Sequence, residues 1–150
     1  MAVLTDEEKR TNWLDALYQH GLGISAVQEV LVAVLSGVEC PLTADEIWEE
    51  AQRIRPETGR ATVYRFIDKL LAAGLLRRVH GYRNCSAYIP ALATHQPLLI
   101  CTSCGQVSYL DPTLCASVIE ATRRELSGHH VTGYQLQLFE ICINCQSDGT

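Results

Sequence analysis

The chain has 150 residues, 47% of them hydrophobic and 19% charged, with a formal net charge of −5 at pH 7. This balance suits a folded protein of one ordinary domain or two small ones and excludes an intrinsically disordered chain. No apolar run approaches the roughly 20 residues that span a bilayer, and the opening MAVLTDEEKR is acidic and lacks the apolar region of a secretory leader. A cytoplasmic protein without a membrane span is expected. In that compartment seven cysteines point to metal or redox chemistry rather than to disulfides.

In chain order, a first helix is expected around Glu8 to Gln19. In ISAVQEVLVAVLSG, Val27, Val30, Leu31, Val34 and Leu35 recur at helical spacing, with Ser25 placed to cap and Gly37 to stop the helix. LTADEIWEEAQRI carries Thr43 and, three residues on, Glu46, the signature of a capping box. A third such helix begins near Gly59, buries Val63, Phe66, Ile67, Leu70 and Leu71 on one face and ends at Gly74. LLRRV and SAYIP then read as two strands joined by a turn in HGYRN. Helices followed by a two-stranded ribbon is the order of a winged helix-turn-helix. From about Ala91 the pattern is mixed: two strands around a knuckle in PLLICTSCGQVSYLD, a helix opened by Pro112 and closed by Gly128, and a half-buried strand in YQLQLFEI. The fold class expected is therefore α+β, with a break near Pro90–Thr94.

Charge is unevenly distributed along this plan. Between Arg53 and Arg83 stand eight of the twelve basic residues (Arg53, Arg55, Arg60, Arg65, Lys69, Arg77, Arg78, Arg83) against two acids, Glu57 and Asp68. From charge alone, a patch for a polyanion and a solvated helix face with salt-bridge partners are equal readings. Placed on the winged-helix plan, Arg60, Thr62, Tyr64, Arg65 and Lys69 lie off the apolar stripe of the third helix, where their donors can reach phosphates and base edges of double-stranded DNA. The segment after Ala91 carries just Arg123 and Arg124 and is not expected to bind nucleic acid.

CTSC and CINC place Cys101, Cys104, Cys142 and Cys145 in two CxxC knuckles about forty residues apart. Each knuckle aims two sulfurs at one point, and together they complete a tetrahedral four-cysteine zinc site with no open coordination position. The alternative, a pair of redox dithiols, fits less well, because a thioredoxin-like motif needs one CxxC on a βαβ frame. Of the other cysteines, Cys40 and Cys115 read as small buried hydrophobes. Cys85 stands in the polar turn, five residues after His80 and ten before His95. A mixed thiolate and imidazole set there suits Zn2+ better than a hard cation. The remaining histidines are His20 and the pair His129 and His130.

TADEIWEEAQ, TGRATVYRFIDKLLAAGLLRRV, ICTSCGQV and EICINC together resemble the ferric uptake regulator (Fur) family over roughly residues 20 to 146. Its hallmarks are a T-V-Y-R run in the recognition helix and paired zinc knuckles. The resemblance implies a homodimer with a winged-helix DNA-binding domain over 1–90 and, over 91–150, a hinge and an α/β dimerisation domain holding the structural zinc on its four cysteines. It implies a transcriptional regulator, not an enzyme, normally a repressor. A second, regulatory metal closes the dimer onto an AT-rich inverted repeat. Iron and peroxide sensors of the family are histidine-rich before the first knuckle, where this chain has His95 alone. Zinc uptake regulators are similar in placing a cysteine between the wing and that histidine. The regulatory set implied is His80, Cys85 and His95, completed by one of His129, His130 or Glu120, the last matching the family's helix glutamate. The other readings are an iron or peroxide sensor of the same family and a non-regulatory zinc-storage protein. Relatives commonly carry an arginine in the second helix where this chain has Gln28 and Glu29, so a phosphate contact is expected to be lost.

Overall fold

The computed structural model describes residues 5–38, 40–82, 85–91 and 97–147. The chain divides into two compact units, Met1–Ala91 and Leu92–Thr150.

The first unit contains helices α1 (Asp6–Gln19), α2 (Ala26–Ser36), α3 (Ala44–Ile54) and α4 (Arg60–Ala72), and strands β1 (Leu42–Thr43), β2 (Leu76–Tyr82) and β3 (Cys85–Pro90). Three of the helices begin in a reciprocal capping box, from Thr5 with Glu8, Ser25 with Gln28 and Thr43 with Glu46. Each box satisfies two amide donors that a helix start would otherwise leave bare. Gly74, at φ 71°, ends α4. Leu75 N–H reaches back to Leu70 C=O at 2.9 Å and Gly74 N–H to Leu71 C=O at 3.1 Å, a closure that needs the left-handed backbone glycine adopts without strain. The apolar stripes of the four helices meet in one core, with Leu17, Leu31, Leu35, Ile47, Val63 and Leu70 almost wholly excluded from water. Leu76 and Tyr88 of the ribbon close it from the sheet side.

The ribbon is longer and less regular than the sequence implies. HGYRN is not all turn: His80, Gly81 and Tyr82 belong to β2, and the ladder with β3 shifts register between Val79 and Tyr82. A bulge there absorbs the irregularity and lets pairing resume at Tyr82 with Cys85. His80 is thus an exposed strand residue and Cys85 the first residue of β3, not a turn residue. β1 pairs antiparallel with β3, giving the order β1-β3-β2. Two residues long, β1 has no sequence signal of its own.

The second unit contains β4 (Leu98–Cys101), β5 (Val107–Tyr109), a 3-10 turn over Pro112–Cys115, α5 (Ala116–Glu125), β6 (Gln137–Glu140) and the short α6 (Ile143–Ser147). Its sheet runs β5-β4-β6, with β4 antiparallel to β5 and parallel to β6. The helix expected from Pro112 starts instead as the 3-10 turn, capped by the Asp111 carboxylate on Thr113 N–H at 2.9 Å. Burial is sparse: Leu98, Ile100, Cys101 and Cys115 are buried, and α5 and α6 bury nothing. The last strand also departs from expectation. It covers Gln137–Glu140 without Tyr134 or Leu136, and Leu138, expected on the buried face, is exposed.

Candidate metal centre and nucleic-acid interface

The parallel register of β4 and β6 sets Cys101 opposite Glu140, which brings the second knuckle beside the first despite the long intervening chain. Thr102 fastens the junction, its N–H and hydroxyl both donating to Glu140 C=O at 2.9 and 3.2 Å. Gly105, at φ 79°, turns the first knuckle so that its N–H closes on Cys101 C=O at 2.9 Å. On the other side α6 starts within the second knuckle, and the Gln146 side chain donates to Ile141 C=O at 2.6 Å. Sulfur atoms of Cys101, Cys104, Cys142 and Cys145 all lie within 4.8 Å of one another. The Cys104 and Cys142 sulfurs are 3.9 Å apart, close to the roughly 3.8 Å edge of a tetrahedron with metal–sulfur bonds of about 2.3 Å.

The surroundings favour thiolate where the site is deepest. Cys142 N–H points at the buried Cys101 sulfur at 3.3 Å. This and further backbone donors from Cys104 and Ser103 lower the Cys101 pKa to about 6. Cys145 is pushed up to about 12 by its hydrogen bonds to Cys142 and Cys104, since one proton shared among crowded sulfurs is hard to remove. A divalent ion relieves that crowding. The donor set fits a soft or borderline cation held by four sulfurs, with no position left for substrate. Among the described residues this is the one group of three or more His, Cys, Asp or Glu placed to hold a metal.

On α4, Arg60, Tyr64, Arg65 and Lys69 are exposed and Thr62 is half-buried, as its apolar stripe dictates. The basic segment is otherwise less uniform than its charge suggests. Arg53 pairs with Glu50 and Arg55 with Glu57, each at 2.7 Å. Arg77, on β2, is buried. Arg78 is exposed and lies over the Tyr88 ring at 5.8 Å, and Arg83 lies outside the described residues. Both readings of the charge run thus hold in part: salt-bridge partners for Arg53 and Arg55, an open basic surface at Arg65 and Lys69.

A contact at the start of α4 involves residues to which sequence reasoning gave no such role. Asp45, in the first turn of α3, accepts from the Tyr64 hydroxyl at 3.2 Å and lies 3.6 Å from Arg60 Nε. Partial withdrawal from water, then the Asp45 carboxylate, raises the Tyr64 pKa. The Arg60 guanidinium stacks on the Trp48 ring at 4.5 Å, and Trp48 is pinned by its indole N–H to Thr58 C=O at 3.0 Å. The spacing of Asp45 and Trp48 near one end of an amphipathic helix was the available signal.

The other expected ligands fall in both units. His80 is on β2, while Glu120, His129 and His130 are exposed in the second unit. His95 and the side chain of Cys85 lie outside the described residues. Cys40, expected to be buried, is exposed: it precedes Pro41 in the link to β1, where no helical stripe directs it inward. Gln28, in the position compared with a phosphate-binding arginine, is engaged in its helix cap, accepting from Ser25 N–H at 2.9 Å.

A winged helix joined to a small α/β unit with a four-cysteine knot defines a known class of metal-handling fold, and the chain belongs to the ferric uptake regulator family, whose sequence model matches residues 19–139. A "Ferric uptake regulation protein" of Vibrio cholerae is 28% identical over 139 residues, spanning 90% of this chain and 88% of its own. A solved zinc uptake regulator complexed with zinc and DNA superposes with a TM-score of 0.77 at 16% identity, covering 97% of this chain and 98% of its own. The Helicobacter pylori ferric uptake regulator, described with three functional metal binding sites, gives 0.70 at 20% identity, covering 100% of this chain and 99% of its own. The family is one of metal-responsive regulators. Among the described residues, no helix is long and apolar enough to cross a membrane.

Proposed function

We propose that the chain is a zinc-responsive repressor acting in the cytoplasm as a homodimer on AT-rich inverted repeats in the promoters of zinc homeostasis genes. The observation that carries the regulatory reading is the pairing of a closed four-sulfur knot with a basic helix face, the exposed Arg60, Tyr64, Arg65 and Lys69 and the half-buried Thr62, in a separate unit. Such a knot does no chemistry, so a signal has to come from a second ion. That ion is held by His80, Cys85 and His95 with one of His129, His130 or Glu120, and it favours one wing orientation by binding it more tightly. The dimer reading draws support from the exposed apolar side chains Val118, Leu138, Phe139, Ile141 and Ile143 of the second unit, which a second copy would cover.

Zinc is favoured over iron by the thiolate in this set, since sulfur ligands select zinc over harder ions. An iron-sensing reading is favoured instead by the curated relatives, which are ferric uptake regulation proteins. The deciding experiment measures duplex binding against buffered free zinc and ferrous iron for the parent, Cys85→Ser and His95→Ala. Binding gained with zinc in the parent and lost in both variants, with the knot ion retained, supports zinc sensing. Gain with ferrous iron alone, or unshifted zinc curves in both variants, overturns it.

A further inference from the structure

Asp45 sets a carboxylate beside Arg60 and Tyr64, two residues of the candidate DNA face. We infer that it is a selectivity residue, competing with DNA phosphate for Arg60 and so weakening binding to the wrong sequence; this rests on the reading of α4 as the DNA-contacting helix. Arg60 is held from two sides, by the Trp48 ring beneath it at 4.5 Å and by the Asp45 carboxylate beside it at 3.6 Å. Trp48 is itself anchored to Thr58 and cannot follow Arg60 outward without losing that bond. The carboxylate also accepts the Tyr64 hydroxyl hydrogen bond at 3.2 Å. One acid thereby occupies donors from two of the residues on the candidate DNA face. Side chains of Arg60 and Asp45 remain 56% and 52% exposed, so a third charged group can reach the pair from solvent.

A phosphate arriving at Arg60 meets a like charge and must replace it. In a non-specific complex phosphate contacts supply essentially all the affinity, so this cost is uncompensated. In the specific complex the Tyr64 hydroxyl and the Arg60 guanidinium turn to base edges, which carry no like charge to meet the carboxylate. A residue of this kind lowers phosphate-driven affinity more than sequence-specific affinity, which is specificity obtained by disfavouring the wrong partner.

The test is salt-dependent binding of the full-length, zinc-loaded chain to a duplex of scrambled sequence. Asp45→Asn should tighten this binding about three- to tenfold and steepen its slope against log salt by about one. Glu49→Gln, which removes an exposed acid one turn along the same helix, should give a clearly smaller gain. In an Arg60→Ala background, Asp45→Asn should give none. Arg60→Ala alone, reaching the same contact from the other side, should weaken duplex binding less than Arg65→Ala. The inference is overturned if Asp45→Asn binds no tighter, if Glu49→Gln matches it, if the gain persists without Arg60, or if the gain is as large on an AT-rich inverted-repeat duplex. A parent chain with no salt-dependent duplex binding would instead remove the DNA-binding reading, and this one with it.

Discussion

From α1 to β3 the chain buries an apolar core fed by four helices and a ribbon, while from β4 onward it buries little more than Leu98, Ile100, Cys101 and Cys115. The exposed side is just as unequal. In the first unit Tyr18, Ile54 and Tyr64 are the large exposed apolar residues among those described. The second exposes Leu114, Val118, Leu126, Val131, Leu138, Phe139, Ile141 and Ile143. Small units rarely gain enough from apolar burial to offset the entropy of ordering their chain. The first meets this requirement with its own side chains. The second gathers four sulfurs at one point and leaves its large apolar side chains exposed.

The sharpest way to break this contrast is Cys101→Ser. For a site of this kind binding energy is folding energy, on the order of 10 kcal/mol or more. The variant should lose about one ion per chain and lose amide-exchange protection across β4, β5 and β6, with α1 to α4 still protected. Equal loss of protection in both units would mean that the first depends on the knot, against the contrast between them. The same site sets a pH response. Cys101 is a thiolate at neutral pH because its pKa is lowered to about 6, so it offers its sulfur without losing a proton until pH falls through that value. Apo-chain affinity for zinc should fall more steeply below about 6, and uptake at neutral pH should release protons, Cys145 among their sources. Flat affinity across that interval would contradict the assignment.

Ile47→Ala tests the other side of the comparison. Ile47 is fully buried between the helices, and truncation of such a residue costs about 2–5 kcal/mol. Thermal unfolding of the first unit should move down while zinc content is unchanged. Next in size, Phe139→Glu places a charge on the exposed edge of β6. If a second copy covers this face, sedimentation should show a chain that is more monomeric at equal concentration and still loaded with zinc. An unchanged oligomer would place the interface elsewhere.

What was legible in the sequence follows the same division. Signals that act within one turn or one knuckle could be read directly: Ser25 before α2, Thr43 with Glu46 before α3, Gly74 after α4, and the CxxC spacings. The first unit is made mostly of such local signals plus one helical stripe per element, so its fold was largely visible. In the second unit the decisive feature is the parallel pairing of Cys101 with Glu140, a long-range register that no local pattern announces. Leu138 misled for a related reason: alternation assumes that the covering layer belongs to the same chain. The bulge after Val79 and the exposed Cys40 arise where the chain leaves its regular elements, and there periodicity carries no information. The contact of Asp45 with Arg60 and Tyr64 joins two helices whose individual patterns were read correctly. Charge counting along the sequence could not separate these paired side chains from open ones.

The smallest effect expected comes from the cap at the joint between β1 and α3. Thr43 Oγ1 accepts from Glu46 N–H at 3.2 Å, and the Glu46 carboxylate accepts from Thr43 N–H at 2.8 Å. Thr43→Ala deletes the first bond and leaves the second, so an amide at the helix start loses its partner at a half-buried position. Removing such a cap typically costs about 1 kcal/mol. The loss should appear as a lower unfolding midpoint of the first unit alone. Zinc content should not change, nor should protection in β4 to β6, because α3 supplies none of the four sulfurs. Thr43→Ser keeps the oxygen and should restore most of the stability, which separates the hydrogen bond from the methyl group's packing. Paired denaturation curves for the two variants, read at a probe in each unit, give the outcome. A shift in the second unit's curve equal to that in the first would show that the two unfold together, and the contrast between them would then be one of composition, not of independent stability.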